Sequence, residues 1–132
     1  MRAELQRLRG HGLELNVHRF VDTAAAPRGL TLLLLHGFLD AGGSWDLVAT
    51  ELAPRGIEVY AVDLRGFGAS DRVGAGGYYH FPDYVADVDA LVDGVGRWVR
   101  PGDVVLVKGS RGMRMERIVD RLLARSSTQG GG

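Results

Sequence analysis

Two apolar runs restrict the fold more than any other feature of this chain: "LTLLLL" at residues 30–35 and "GIEVYAVD" at residues 56–63. A strand with one wet face alternates apolar and polar residues, whereas a nearly unbroken apolar run suits a strand covered on both faces. Two such runs joined by a crossover long enough for a helix make a β-α-β unit with parallel strands. The connecting "SWDLVATELAPRG" has that length. Ser44 is placed to cap its N-terminus, and Asp46 sits near the positive end of the helix dipole. Trp45, Val48, Ala49 and Leu52 recur at helical spacing, and Pro54 and Gly56 end the pattern.

The rest of the chain extends this arrangement. "AELQRLR" and "LELNVHRF" flank "GHG" and predict a hairpin, with Leu13, Leu15, Val17 and Arg19 on one face and a more polar opposite face. "FPDYVADVDALVDGVGRWV" predicts a helix with Pro82 in its first turn and a stripe of Val85, Val88, Leu91, Val92 and Val95, weakened at its end by Gly94 and Gly96. "PGDVVLVKGS" reads as turn and strand, and "GMRMERIVDRLLARS" as a helix with Met115, Ile118, Val119, Leu122 and Leu123 inward. The expected fold class is therefore α/β: an N-terminal antiparallel hairpin, then three parallel strands with flanking helices, in one domain over residues 1–125. The small polar tail "SSTQGGG", residues 126–132, is expected to be disordered.

Composition removes several functions. The chain has no cysteine, which excludes disulfides, thiolate zinc sites and a cysteine nucleophile. Lys+Arg and Asp+Glu both number 16, so there is no basic footprint for nucleic acid. His11, His18, His36 and His80 form no metal-ligand spacing, and no phosphate-loop glycine pattern is present, so neither a metal nor a cofactor is expected. The apolar runs are too short to span a membrane, and the charged "MRAELQRLRG" lacks the apolar core of a signal peptide. A cytoplasmic location without membrane contact is the expectation.

In a parallel sheet ligands bind beyond the carboxyl ends of the strands. Three loops fall there: "HGFLDAGGS" (36–44), "DLRGFGASDRVGAGGYYH" (63–80) and "KGSRG" (108–112). Gly37 allows a sharp turn that leaves amides free for an oxyanion, although a plain glycine turn gives the same signature. Asp63 and Arg65 are close enough in sequence to pair locally, and Gly66 and Gly68 permit tight turns, which favours a structural loop. Ser110, between Gly109 and Gly112, is either a nucleophile on a strand-to-helix elbow or a serine at a helix N-terminus.

Taken together, His36-Gly37-Phe38, Ser44-Trp45-Asp46 and the segment from Asp63 to Ser70 resemble the N-terminal half of the α/β-hydrolase family, in the esterase, lipase and epoxide-hydrolase-like group, over about residues 12–95. The resemblance implies an oxyanion hole from the backbone N–H groups of Phe38 and Arg111. It implies structural parts for His36, Gly37, Asp63, Arg65, Gly66, Gly68 and Gly112. It also puts Ser110 at the nucleophile of a G-x-S-x-G elbow. Lys108 stands where that motif has its first glycine, and Gly112 matches the last.

A second resemblance covers "RPGDVVLVKGSRGMRMERIVDRLL", residues 100–123. It is similar to the C-terminal end of the Mur ligase that adds D-alanyl-D-alanine, and implies the same strand-turn-helix shape without that enzyme's ATP site. Such a junction can come from a natural fusion, a designed or generated chimera, or a wrongly assigned reading frame. After Ser110 there is no histidine, and Glu116 and Asp120 fall on the last helix. His80 and Lys108 are the unorthodox bases to weigh, against readings as a surface residue and a solvated cation.

Two function classes follow. One is a serine hydrolase of carboxylesterase or lipase type, acting on a small-molecule ester but lacking a complete triad. The other is a non-catalytic truncated or chimeric scaffold that binds a small anion at the turn from Lys108 to Gly112. In either case "DVVLV" is expected to be an open apolar sheet edge that favours self-association.

Overall fold

The computed structural model describes residues 2–9, 12–36, 40–77, 79–98 and 104–108, with positions 116, 119, 120, 123 and 124 of the last helix. The chain opens with β1 (Arg2–Arg9) and β2 (Glu14–Val21), an antiparallel hairpin in which Arg9 faces Glu14. β3 (Leu30–Leu35) and β4 (Ile57–Asp63) are parallel, and α1 (Asp46–Leu52) lies between them in the chain. α2 (Phe81–Trp98) then leads to β5 (Val104–Lys108), which pairs in parallel with β3. The strand order is β1-β2-β4-β3-β5, and β2 is antiparallel to β4. The expected hairpin and three parallel strands form one sheet.

Two cores sit on its two faces. Leu8, Leu15, Val17, Leu33, Leu35, Tyr60, Val62, Leu64 and Leu91 pack together on the α2 side. Phe20, Leu32, Leu34, Ala49, Ala53, Val59 and Ala61 pack on the α1 side. Consecutive β3 residues alternate between the two clusters, which is why "LTLLLL" has no polar break. Burying each such large apolar side chain stabilises the fold by roughly 1.5–3 kcal/mol.

Local details depart from expectation in five places. Ser44 does not cap α1: it lies inside a 3-10 turn (Gly42–Trp45), and its hydroxyl donates to the Ala41 carbonyl at 2.8 Å. Val48 is 40% exposed while Ala49 is fully buried, because the short helix presents only one narrow stripe to the sheet. β2 is not half-buried: Leu15, Asn16 and Val17 are all buried, since β2 lies between β1 and β4. Gly94, expected to weaken the end of α2, also has a packing role, in a helix that runs on to Trp98. It is buried, and a Cβ there would lie 2.5 Å from a Leu8 methyl, so the missing side chain lets helix and strand approach closely. Val119 and Leu123, expected inward, are 43% and 60% exposed; four residues apart, they share a helix face that is turned outward. The expected tail at 126–132 lies outside the described residues. No helix among the described residues is long and apolar enough to cross a membrane.

Candidate functional site

The parallel strands end together. β3 runs into His36, β4 ends at Asp63, and Leu34 pairs with Lys108 at the end of β5. β5 therefore ends, at Lys108, at the same end of the sheet as His36 and Asp63. Gly37, Phe38, Gly109, Ser110, Arg111 and Gly112 lie outside the described residues. The structure instead shows what holds the ground around them.

Asp63 is the centre of that ground. It is 1% exposed. Its Oδ1 accepts the Gly42 N–H at 2.6 Å, and its Oδ2 accepts the Ala69 N–H at 3.0 Å and the Asn16 amide at 2.8 Å. His18 Nε2 approaches the same Oδ2 at 3.1 Å. Burial by itself raises a carboxyl pKa, but the N–H groups of Ala69, Asn16, Gly42 and His18 outweigh it and hold Asp63 below the ordinary aspartate value. The carboxylate thus ties together β2, the 3-10 turn at Gly42–Trp45, and the loop after β4. Ser70 adds a second tie, accepting the Asn16 backbone N–H at 2.7 Å while its hydroxyl donates to the Asp63 carbonyl. Gly68 has φ +52°, and a Cβ there would fall 2.3 Å from the Asp63 carboxyl carbon, so only glycine lets the loop close over this carboxylate.

Arg65 does not pair with Asp63. It reaches instead to α2 and grips Asp87, with Nε on Oδ2 and Nη2 on Oδ1, both at 2.7 Å. The side chains are 5% and 0% exposed. β4 ends at Asp63 and Arg65 already lies in the turn that follows, which directs it to α2, while the Asp63 carboxylate is occupied by Gly42, Ala69, Asn16 and His18. Bidentate bonding to Asp87, the largest influence on Arg65, keeps the guanidinium pKa raised despite its burial. Gly66 donates its N–H to the Asp71 carbonyl at 2.9 Å and so closes the first bend of the same loop.

His36 is buried beneath the site. Its Nε2 accepts the Leu64 N–H at 2.9 Å, and its ring meets the edge of Phe67 at 5.4 Å. An accepting Nε2 requires the proton on Nδ1. His80 is exposed just before α2, where its backbone N–H donates to Asp83 at 3.2 Å. His18 contacts the Asp63 carboxylate, yet β4 and β3 separate β2 from β5. At about 4.8 Å per strand step, the backbones of β2 and β5 are roughly 14 Å apart. His18 is thus remote from the end of β5, and Asp63, on β4, is committed to the bonds that join β2, Gly42 and Ala69.

Sequence reasoning singled out Asp63, Arg65 and Gly68 but missed Asn16, His18, Gly42, Ser70 and Asp87. Asn16 carried a signal: an asparagine inside the strand pattern "LELNVHRF" needs a buried partner. Asp87 carried none, since an aspartate on an acidic helix normally faces water. Among the described residues, no cluster of His, Cys, Asp and Glu stands where it can hold a metal ion.

Comparison with known proteins fits this geometry. The family model described as serine aminopeptidase, S33, matches residues 25–110. Epoxide hydrolase B of Mycobacterium tuberculosis is 32% identical over 80 residues, covering 61% of this chain and 22% of that protein. A serine hydrolase-like protein of Danio rerio is 36% identical over 72 residues, covering 54% of this chain and 22% of that protein. Among solved structures, the thioesterase domain from the curacin biosynthetic pathway aligns with a TM-score of 0.66 at 26% identity, over 83% of this chain and 37% of that one. An epoxide hydrolase from Vigna radiata aligns with a TM-score of 0.62 at 27% identity, over 81% and 31%. The chain thus spans about a quarter of the length of the curated relatives it matches.

Proposed function

Because the chain belongs to the serine aminopeptidase (S33) family of α/β-hydrolases, we propose that its chemistry is acyl transfer to Ser110. The observation that supports this reading is the register of β5 on β3, with Leu34 opposite Lys108, so that the strand preceding Ser110 in sequence ends beside the strand that leads into His36. The family match also runs to residue 110, and so extends into the segment with ligase-like sequence.

The residue type chooses between the activities named among the relatives. Attack of a serine oxygen on an epoxide carbon would leave an ether, which water does not readily cleave. Attack on an acyl carbon leaves an ester, which water can hydrolyse. A serine at this turn therefore favours a carboxylic ester over an epoxide. In the first step the Ser110 oxygen bonds to the acyl carbon, the bond to the leaving alkoxide breaks, and the serine proton goes to the departing alcohol through solvent. The N–H groups of Phe38 and Arg111 are assigned to the developing oxyanion. Among the described residues, no His–carboxylate pair stands within reach, so acylation is slow and deacylation slower.

The test is intact-mass spectrometry after exposure to a fluorophosphonate probe, with Ser110→Ala as control. The expected result is one adduct on the wild-type chain and none on the variant. A cooperatively folded wild-type protein that takes no adduct would overturn the acyl-transfer reading and leave a non-catalytic scaffold.

A further inference from the structure

The α2-side face of the sheet carries polar side chains at the end opposite the loops. Glu4 faces Arg19, Arg19 faces Tyr60, and Thr31 faces Glu58 across β1, β2, β4 and β3. Leu33, two residues beyond Thr31, pairs with Tyr60, and both belong to the α2-side core, so all five polar residues share that face. Arg19 Nε donates to Glu58 Oε1 at 2.5 Å and to the Tyr60 hydroxyl oxygen at 3.2 Å, and its Nη1 donates to Glu4 at 3.0 Å. The Tyr60 hydroxyl donates to the same Glu58 Oε1 at 2.8 Å. Burial and the neighbouring Glu58 both raise the Tyr60 pKa, so that proton stays committed to Glu58.

Two acceptors are left over. Every bond to Glu58 among the described residues falls on Oε1, and Oε2 has none. Thr31 is only 4% exposed, yet its hydroxyl has no hydrogen-bond partner among the described residues. The buried side-chain polar atom without a partner among the described residues is the Trp45 indole nitrogen, so the Thr31 oxygen opens onto free space instead of being sealed in the interior. Both residues line a cavity of about 430 Å³, together with Arg19, Tyr60, Val21 and Ile57. That volume falls within the range of small-molecule sites. The segment after β2 closes one side of it, with the Arg28 N–H bonded to the Gly56 carbonyl at 3.0 Å.

We infer that this cavity binds a small primary ammonium compound, whose N–H groups bond Glu58 Oε2 and Thr31 Oγ1 while a short alkyl chain lies on Val21 and the Tyr60 ring. An ammonium brings three donors and no acceptor, which is what two vacant acceptors require. Glu58 shares the single Arg19 charge with Glu4, so the carboxylate keeps enough negative character to repel an anion of the same shape. The site lies at the opposite end of the sheet from Lys108, where β5 ends, and does not rest on the acyl-transfer reading.

The test is an amide-resonance titration of the full chain by NMR with n-butylammonium chloride, against sodium butyrate at equal ionic strength. Saturable shifts clustered at residues 19, 31 and 58 are expected with butylammonium only. Glu58→Gln and Thr31→Val should each weaken binding by about tenfold, the loss expected for one charge-assisted or buried hydrogen bond. Thr31→Val keeps the side-chain shape, so it decides the matter should Glu58→Gln fail to fold. Linear shifts without saturation, equal response to butyrate, or unchanged affinity in folded Thr31→Val would overturn the inference.

Discussion

Replacing Asp63 by Asn tests whether a single carboxylate organises the carboxyl-terminal end of the parallel strands. The wild-type side chain takes donors on both oxygens: Gly42 on Oδ1, and Ala69, Asn16 and His18 around Oδ2. An amide keeps one oxygen. Its best orientation turns the oxygen toward the Oδ2 group and points its NH₂ at the Gly42 N–H. That leaves one buried donor unsatisfied, at about 1–3 kcal/mol, and lowers the remaining bonds from charged to neutral strength, at roughly 1 kcal/mol each. Allowing for relaxation, the expected loss is about 3–5 kcal/mol, a large part of the 5–15 kcal/mol typical of a domain. Urea denaturation at neutral pH reads it directly. The pH dependence supplies a second reading. The folded-state pKa of Asp63 is lowered, so its contribution is present above the unfolded-state value, about 3.9, and disappears as pH falls through the folded value. The gap between wild type and variant should therefore be constant above about pH 5 and narrow below about pH 4. A loss under about 1 kcal/mol, or a gap that stays constant into acid, would refute the placement of an ionised Asp63 at this junction.

Two further substitutions follow from the same accounting of buried groups and space. Arg65→Met alone should cost about 3–5 kcal/mol by stranding Asp87 in the interior, whereas Arg65→Met with Asp87→Leu should recover most of it; a double-mutant cycle in urea measures the difference. Gly56 and Gly76 both have φ +80°, but a Cβ at Gly56 would lie 2.0 Å from the Ala26 carbonyl oxygen while one at Gly76 meets open space. Gly76→Ala should cost about 1–2 kcal/mol for its backbone alone, and Gly56→Ala at least about 2 kcal/mol more, read as the shift between their denaturation midpoints.

The sheet was legible because its strands announce themselves by what they lack. "LTLLLL" and "GIEVYAVD" carry too few polar residues to face water, and β3 and β4 are central strands. The hairpin was legible from alternation around "GHG". What escaped was the partner of each buried polar group. Arg65 lies two residues from Asp63 but bonds to Asp87, 22 residues away, because the chain turns after β4 and a helix supplies the carboxylate. Gly94 read as a weakness in a helix; only the position of Leu8 on a strand far away in sequence reveals it as a contact. Ser44 has the composition of a cap, yet the backbone had already begun a 3-10 turn before it. Local signals name elements well, and they are silent where a residue's role depends on which distant segment arrives beside it.

The strand order also governs how the chain reaches this state. β1 and β2 can zip across a short turn, but β4 takes its place between β2 and β3 only after the crossover through α1 is complete. Asn16 then meets Asp63 across 47 residues of sequence. Contacts of such span form slowly, because the loop must close before any bond rewards it. Until that happens the edges of β2 and β3 that β4 will occupy are bare, and both strands are rich in apolar residues. The period of risk for misassociation during synthesis is thus the wait for residues 57–63 to emerge and dock.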